Sequence, residues 1–92
     1  MNSKKRILVV DDEEDLTDLL QFQFKREGFK VETENDPFVA LSIARDFDPD
    51  LIVLDVMMPD LDGFQLLRMF RSDRKLCQVP VVMLTALSRI PL

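Results

Sequence analysis

The chain has 92 residues, of which 47% are hydrophobic and 32% charged, with a formal net charge of −5, two glycines, five prolines, one cysteine and no histidine. These values fit one small folded domain and exclude a second one, as well as collagen-like, Gly-rich and disordered classes. With Cys77 alone and no histidine, an internal disulfide, a Cys/His zinc site and a His-based catalytic triad are excluded too. The acidic balance argues against direct binding to nucleic acid or anionic lipid. No apolar run approaches the length of a membrane span, and the basic start MNSKKR precedes only four apolar residues, which does not make a signal peptide. A reducing, cytoplasmic setting is the expectation.

Residues 7–10 (ILVV) predict a short strand that stops abruptly at Asp11 and Asp12. Residues 14–27 carry Leu16, Leu19, Leu20 and Phe24 at helical spacing, and Gly28 supplies a stop. Residues 30–34 read as a second strand around Val31 and Thr33. Asp36-Pro37 offers an N-cap followed by proline at the first helical position, opening a helix with Ala40, Ile43, Ala44 and Phe47 on one face. The Asp48-Pro49-Asp50 segment ends it. Residues 51–54 (LIVL) predict a strand buried on both faces, and this strand also ends on an aspartate, Asp55. A loop from Met57 through Pro59 leads to Asp62-Gly63 and a third helix with Phe64, Leu67 and Phe70 on one stripe. Residues 79–84 predict a fourth strand, with Pro80 near its start and Thr85 directly after it. Strand and helix thus alternate, which implies an α/β fold with a parallel sheet.

Three strands end in polar residues: Asp11 and Asp12, Asp55, and Thr85. In open α/β sheets, ligands bind beyond the carboxyl ends of the strands, where strand order reverses. If the first and third strands are neighbours, their ends are about 5 Å apart, and three carboxylates share one crevice. Such crowding is unfavourable unless a cation lies between them, and all-oxygen ligation suits Mg²⁺. The pattern therefore reads as a hard-cation site beside a carboxylate able to act as nucleophile. For Glu13, Glu14 and Asp15 the plainer explanation is preferred, a solvated acidic first turn favoured by the helix dipole. Thr85 by itself would be a locally satisfied hydroxyl, but its position makes it a candidate phosphate ligand. Cys77 reads as an inert small residue, Phe22, Phe24, Phe38 and Phe47 as core, and Lys4, Lys5 and Arg6 as a solvated lead-in.

ILVVDDEED, LIVLDVMMPDLDGF and VPVVMLTA together resemble the receiver domain of two-component response regulators, over residues 6–86 and with that family's spacing. The resemblance implies a flavodoxin-like parallel sheet, a phosphoryl group accepted on Asp55 from a histidine kinase or phosphotransfer protein, and Mg²⁺ as cofactor. It makes Asp12 a direct metal ligand and Asp11 one acting largely through water. Asp55 and the Met57 backbone carbonyl complete the metal set, Thr85 becomes the switch hydroxyl, and Pro59 and Gly63 shape the loop. It implies a signalling module, not an enzyme. Against the family pattern the sequence stops at SRIPL, so the expectation is a single receiver domain over residues 1–92 with strand order 2-1-3-4, truncated before the fifth strand and last two helices. The family's lysine on that fifth strand then has no counterpart; Arg89 lies in a different segment.

Right-handed crossovers in that strand order place the first helix alone on one face and the second and third helices on the other. The apolar fourth strand then carries an open edge beside a thinly covered face, which predicts an obligate homodimer or higher oligomer. Two other functions compete. One is a self-associating fragment that transfers no phosphate. The other is a Mg²⁺-dependent phosphohydrolase, since Asp60-Leu61-Asp62-Gly63 resembles the nucleophile loop of the haloacid dehalogenases; that loop should follow its strand directly, whereas Met57, Met58 and Pro59 intervene here.

Overall fold

A computed structural model of the chain describes residues 3–84. The elements run β1 (Arg6–Val10), α1 (Glu14–Arg26), β2 (Lys30–Glu34), a 3₁₀ turn (Pro37–Val39), α2 (Ala40–Phe47), β3 (Leu51–Asp55), α3 (Gly63–Ser72) and β4 (Val81–Leu84). All strand pairings are parallel, as the alternation of strands and helices implies, and the order is β2-β1-β3-β4, as the family resemblance implies. No helix among the described residues is long and apolar enough to cross a membrane.

The period-2 alternation of the strands divides the core between the two faces of the sheet. Leu8 and Val10 of β1 and Ile52 and Leu54 of β3 face Ala40, Ala44 and Phe47 of α2 and Leu66 and Phe70 of α3, and all of these are buried. Ile7, Val9, Val31 and Val53 form the opposite core, against Leu20 and Phe24 of α1 and Phe29. One helix thus lies on one face and two on the other, which is the arrangement right-handed crossovers require.

Helix ends follow from specific residues. Gly28 closes α1 at φ +97°, where its amide donates to the Lys25 carbonyl at 3.0 Å and the Phe29 amide to the Phe24 carbonyl at 3.1 Å. The Phe24 and Phe29 rings then meet edge to face, so the reversal is held by backbone bonds and apolar contact together. Asp36 caps through its side chain, which accepts from the Phe38 amide at 2.9 Å, but the turn it opens is 3₁₀ and α2 proper starts at Ala40. The fourth strand starts at Val81, not residue 79, because the Val79 amide closes a turn onto the Leu76 carbonyl.

Several sequence expectations need correction. Phe22 and Phe38 are exposed, not core, and Phe64 is exposed while Leu66 occupies the buried stripe of α3. Phe47 is buried and Phe24 is half-buried, as expected. Arg6 is not a solvated lead-in: its guanidinium Nε donates to the Phe47 carbonyl at 2.7 Å and the group stacks over the Phe47 ring. It ties the start of β1 to the end of α2.

The far ends of α2 and α3 are joined by charge. Arg45 donates through Nε to Asp73 Oδ2 and forms an ion pair with it, and Lys75 Nζ donates to the Arg45 carbonyl. Asp73 Oδ1 also accepts from the amides of Lys75 and Leu76. Burial raises the Asp73 pKa, but the Arg45 bond, the charge of Arg45 and the two amides outweigh it, so the carboxyl is held below the usual aspartate range. A depressed folded-state pKa gives stability that is present above the unfolded value and is lost as pH falls through the folded one. Asp73→Asn should therefore unfold at lower urea than wild type at pH 7, and the gap should narrow as pH falls through the lowered folded-state pKa. A gap that does not narrow anywhere in the acid range would contradict this account of the pair.

Candidate functional site

The register of the sheet brings the site together. Val10 of β1 lies beside Leu54 of β3, so the next residue on each strand is an aspartate. Asp11 and Asp55 are buried, Asp12 is exposed, and one carboxylate oxygen from each lies within 4.8 Å of the others. Two buried acids thus form the floor of the crevice and a third its rim.

Backbone amides orient both buried carboxylates. Asp11 Oδ1 accepts from the Glu13 amide at 2.9 Å, and Asp55 Oδ1 accepts from the Met57 amide at 3.1 Å. Each is an aspartate bonding the amide two residues on, a turn that short acidic side chains form readily. The Asp11 amide donates to the Glu34 carbonyl at 3.1 Å, carrying the β1–β2 ladder one step past the strand. Asn35 was not singled out from the sequence, yet its side-chain amide reaches both the Asp11 carbonyl and Thr17 Oγ1.

The loop after β3 folds back tightly. The Gly63 amide donates to the Val56 carbonyl at 2.9 Å, and a Cβ at position 63 would lie 2.2 Å from the Asp55 carbonyl oxygen and 2.8 Å from Val56 Cα. Only glycine lets α3 start this close to the strand end that carries Asp55. Asp62 caps α3 reciprocally with Gln65: its carboxylate accepts from the Gln65 amide, and its own amide donates to the Gln65 side chain. That structural use, and its absence from the acidic cluster, argue against Asp62 as part of a dehalogenase-type nucleophile loop. Val56, Met57, Met58, Pro59, Asp62 and Phe64 line a cavity of about 480 Å³ along this loop, with Met57 and Phe64 exposed.

β4 lies beside β3 with Leu84 opposite Asp55. Thr85, the expected switch hydroxyl, lies outside the described residues. Glu13 and Asp15 are exposed and Glu14 and Asp15 occupy the first turn of α1, as expected of a solvated, dipole-favoured run.

A parallel sheet of order β2-β1-β3-β4 with helices on both faces is a flavodoxin-like, doubly wound α/β fold, and its three aspartates gather where the strand order reverses, the edge at which such folds bind ligands. The family model described as the response regulator receiver domain matches residues 7–92, and the chain belongs to that family. It is 48% identical over 82 residues to the alkaline phosphatase synthesis transcriptional regulatory protein PhoP of Bacillus subtilis, covering 89% of this chain and 33% of that protein. It is 38% identical over 85 residues to the DNA-binding dual master transcriptional regulator RpaA of Synechocystis, covering 92% of this chain and 35% of that one. The chain therefore spans about a third of the length of these curated relatives. Among solved structures, the N-terminal domain of a response regulator receiver protein from Methanoculleus marisnigri superimposes with a TM-score of 0.87 at 34% identity, over 98% of this chain and 71% of that one. The response regulator TrrA from Thermotoga maritima, solved in complex with Mg²⁺-BeF, gives 0.81 at 34% identity, over 92% and 72%.

The close approach at Gly63 generates a direct test. Gly63→Ala should destabilise the protein by about 1–3 kcal/mol, because backbone and not a flexible side chain must move. Amide resonances of residues 55–57 should shift with it. Wild-type stability in Gly63→Ala would mean that the loop and strand are not in contact.

Proposed function

We propose that this chain is a phosphoacceptor in two-component signalling, with Asp55 receiving a phosphoryl group from a histidine kinase or phosphotransfer protein. The observation that carries the reading is the cluster itself: two buried aspartates and one exposed one, with oxygens within 4.8 Å, on the ends of adjacent strands. Family membership supports it, as does the TrrA relative solved with Mg²⁺-BeF.

The donor set fits Mg²⁺. The three aspartates offer hard carboxylate oxygens, partly open to water, as suits an ion that keeps several waters in its shell. Asp12, at the exposed rim, is assigned as a direct ligand and Asp11 as one working mainly through water, with Asp55 and the Met57 backbone carbonyl completing the set. When bound, Mg²⁺ neutralises charge on the carboxylates and on the incoming phosphoryl oxygens.

The chain's own contribution is positioning. The Met57 amide fixes one oxygen of Asp55, and Gly63 lets the loop close over the end of β3. The other oxygen of Asp55 attacks phosphorus, an O–P bond forms, and the N–P bond of a phosphohistidine donor breaks, its electron pair returning to that nitrogen so that an imidazole already protonated on its other nitrogen leaves neutral. Thr85 is assigned as the hydroxyl that turns toward the phosphoryl group. The module works in the cytoplasm, where its donors are.

Mg²⁺ titration followed by ¹⁵N NMR suits a chain without Trp or Tyr. Wild type should show saturable shifts centred on residues 11–13 and 55–57, and Asp12→Ala should abolish them; equal binding by both proteins would refute the metal assignment. With Mg²⁺ and an acyl phosphate, intact-mass measurement should show one added phosphoryl group that Asp55→Asn lacks. Labelling that persists in Asp55→Asn would sink the acceptor assignment.

A second copy of the chain is the other partner this reading includes. Val82 of β4 is 48% exposed on the α1 side of the sheet, and the outer edge of β4 has no strand beside it among the described residues. Sedimentation should show a dimer or larger species that Val82→Lys weakens. A monomeric wild type at micromolar concentration would contradict the self-association.

A further inference from the structure

The turn between β1 and α1 has to hold two carboxylates at fixed positions, yet it has little apolar anchorage of its own: residues 12–15 are all exposed. One side chain from beyond the end of β2 ties it to the rest of the molecule at two points. Asn35, the residue after β2, donates from Nδ2 to the Asp11 carbonyl at 2.7 Å and to Thr17 Oγ1 at 3.0 Å. The two partners lie 24 and 18 residues away in sequence. Thr17 is buried, and its hydroxyl donates in turn to the Glu14 carbonyl at 3.0 Å.

The proton count closes. An amide NH₂ has two hydrogens, one for each acceptor, and the threonine hydroxyl accepts one bond while donating another. The same carbonyl end of Asp11 is thereby fixed from the β2 side, while its amide is fixed by Glu34. With both peptide groups of Asp11 held and the first turn of α1 tied through Thr17, the acidic turn is clamped at both ends.

We propose that Asn35 is a positioning residue for the acidic pair, its side-chain amide clamping the β1–α1 turn through Asp11 and Thr17 so that Asp11 and Asp12 are preset for a divalent cation. The proposal rests on the Mg²⁺ reading above. The cost of binding a cation includes ordering its ligands, and a clamp already in place removes that cost from the binding step. Asn35 touches neither the metal nor the phosphoryl group; it acts through the turn.

The test compares Mg²⁺ affinities by ¹⁵N NMR titration of the full chain, with folding stability measured by urea in parallel. Asn35→Ala should weaken Mg²⁺ binding about threefold to tenfold, the range of one or two lost hydrogen bonds. Thr17→Val should weaken it similarly, whereas Thr17→Ser, which keeps the hydroxyl, should remain close to wild type. Asp73→Asn, at the opposite end of the helices, serves as a control that loses stability without touching the turn. Asn35→Ala within twofold of wild type, while Asp12→Ala fails to bind, would overturn the positioning role and leave the metal site standing. An equal affinity loss in Asp73→Asn would also overturn it, by showing that the effect follows stability alone. A wild type that binds no Mg²⁺ would overturn both readings. Should Asn35→Ala not fold, Thr17→Val breaks the same clamp at its other end and is judged by the same twofold limit.

Discussion

Three carboxylates brought within 4.8 Å of one another are the constraint around which the rest of this structure is arranged. Left alone, like charges at that distance push each other apart. The fold holds them together by making their positions consequences of stronger interactions elsewhere. Two apolar strands pair in a register that leaves an aspartate next on each, and their side chains on both faces are buried in the two cores. The strand ends cannot drift apart without opening those cores. Backbone amides of Glu13 and Met57 then orient the carboxylates, and the missing side chain at Gly63 lets α3 begin against the end of β3.

Much of this was legible in the sequence because strong physical signals coincide. A short β-branched run that stops on an acid marks both a buried strand and its ligand-binding end, so Asp11, Asp12 and Asp55 could be grouped before any coordinates. The handedness of parallel crossovers then assigned helices to faces, and the two separate cores agree with it. Gly28 and Asp62 were readable as helix boundaries because their chemistry is local.

What was not legible depends on neighbours remote in sequence. Helical spacing in α3 joins Phe64, Leu67 and Phe70, but the sheet meets the stripe one position round, at Gly63, Leu66 and Phe70. Phe22 and Phe38 look like core by residue type, yet both lie exposed. Arg6 looks solvated until Phe47, forty-one residues on, supplies a carbonyl and a ring. Asn35 gives no signal in a run of polar residues, since its two partners are reached only once β2 lies beside β1. The Arg45–Asp73 link is hidden for the same reason. Side chains that act within a few residues could be read, and side chains that join elements could not.

The central claim is that the fold compresses three negative charges that a divalent cation relieves. Urea unfolding of wild type and Asp55→Asn, each with and without Mg²⁺, tests it most directly. Without metal, Asp55→Asn should be the more stable of the two, because one of three crowded charges is gone. Mg²⁺ at ten times its dissociation constant should then stabilise wild type by about 1.4 kcal/mol and Asp55→Asn by clearly less. A wild type that Mg²⁺ leaves unchanged, and that is at least as stable as Asp55→Asn without metal, would contradict the account.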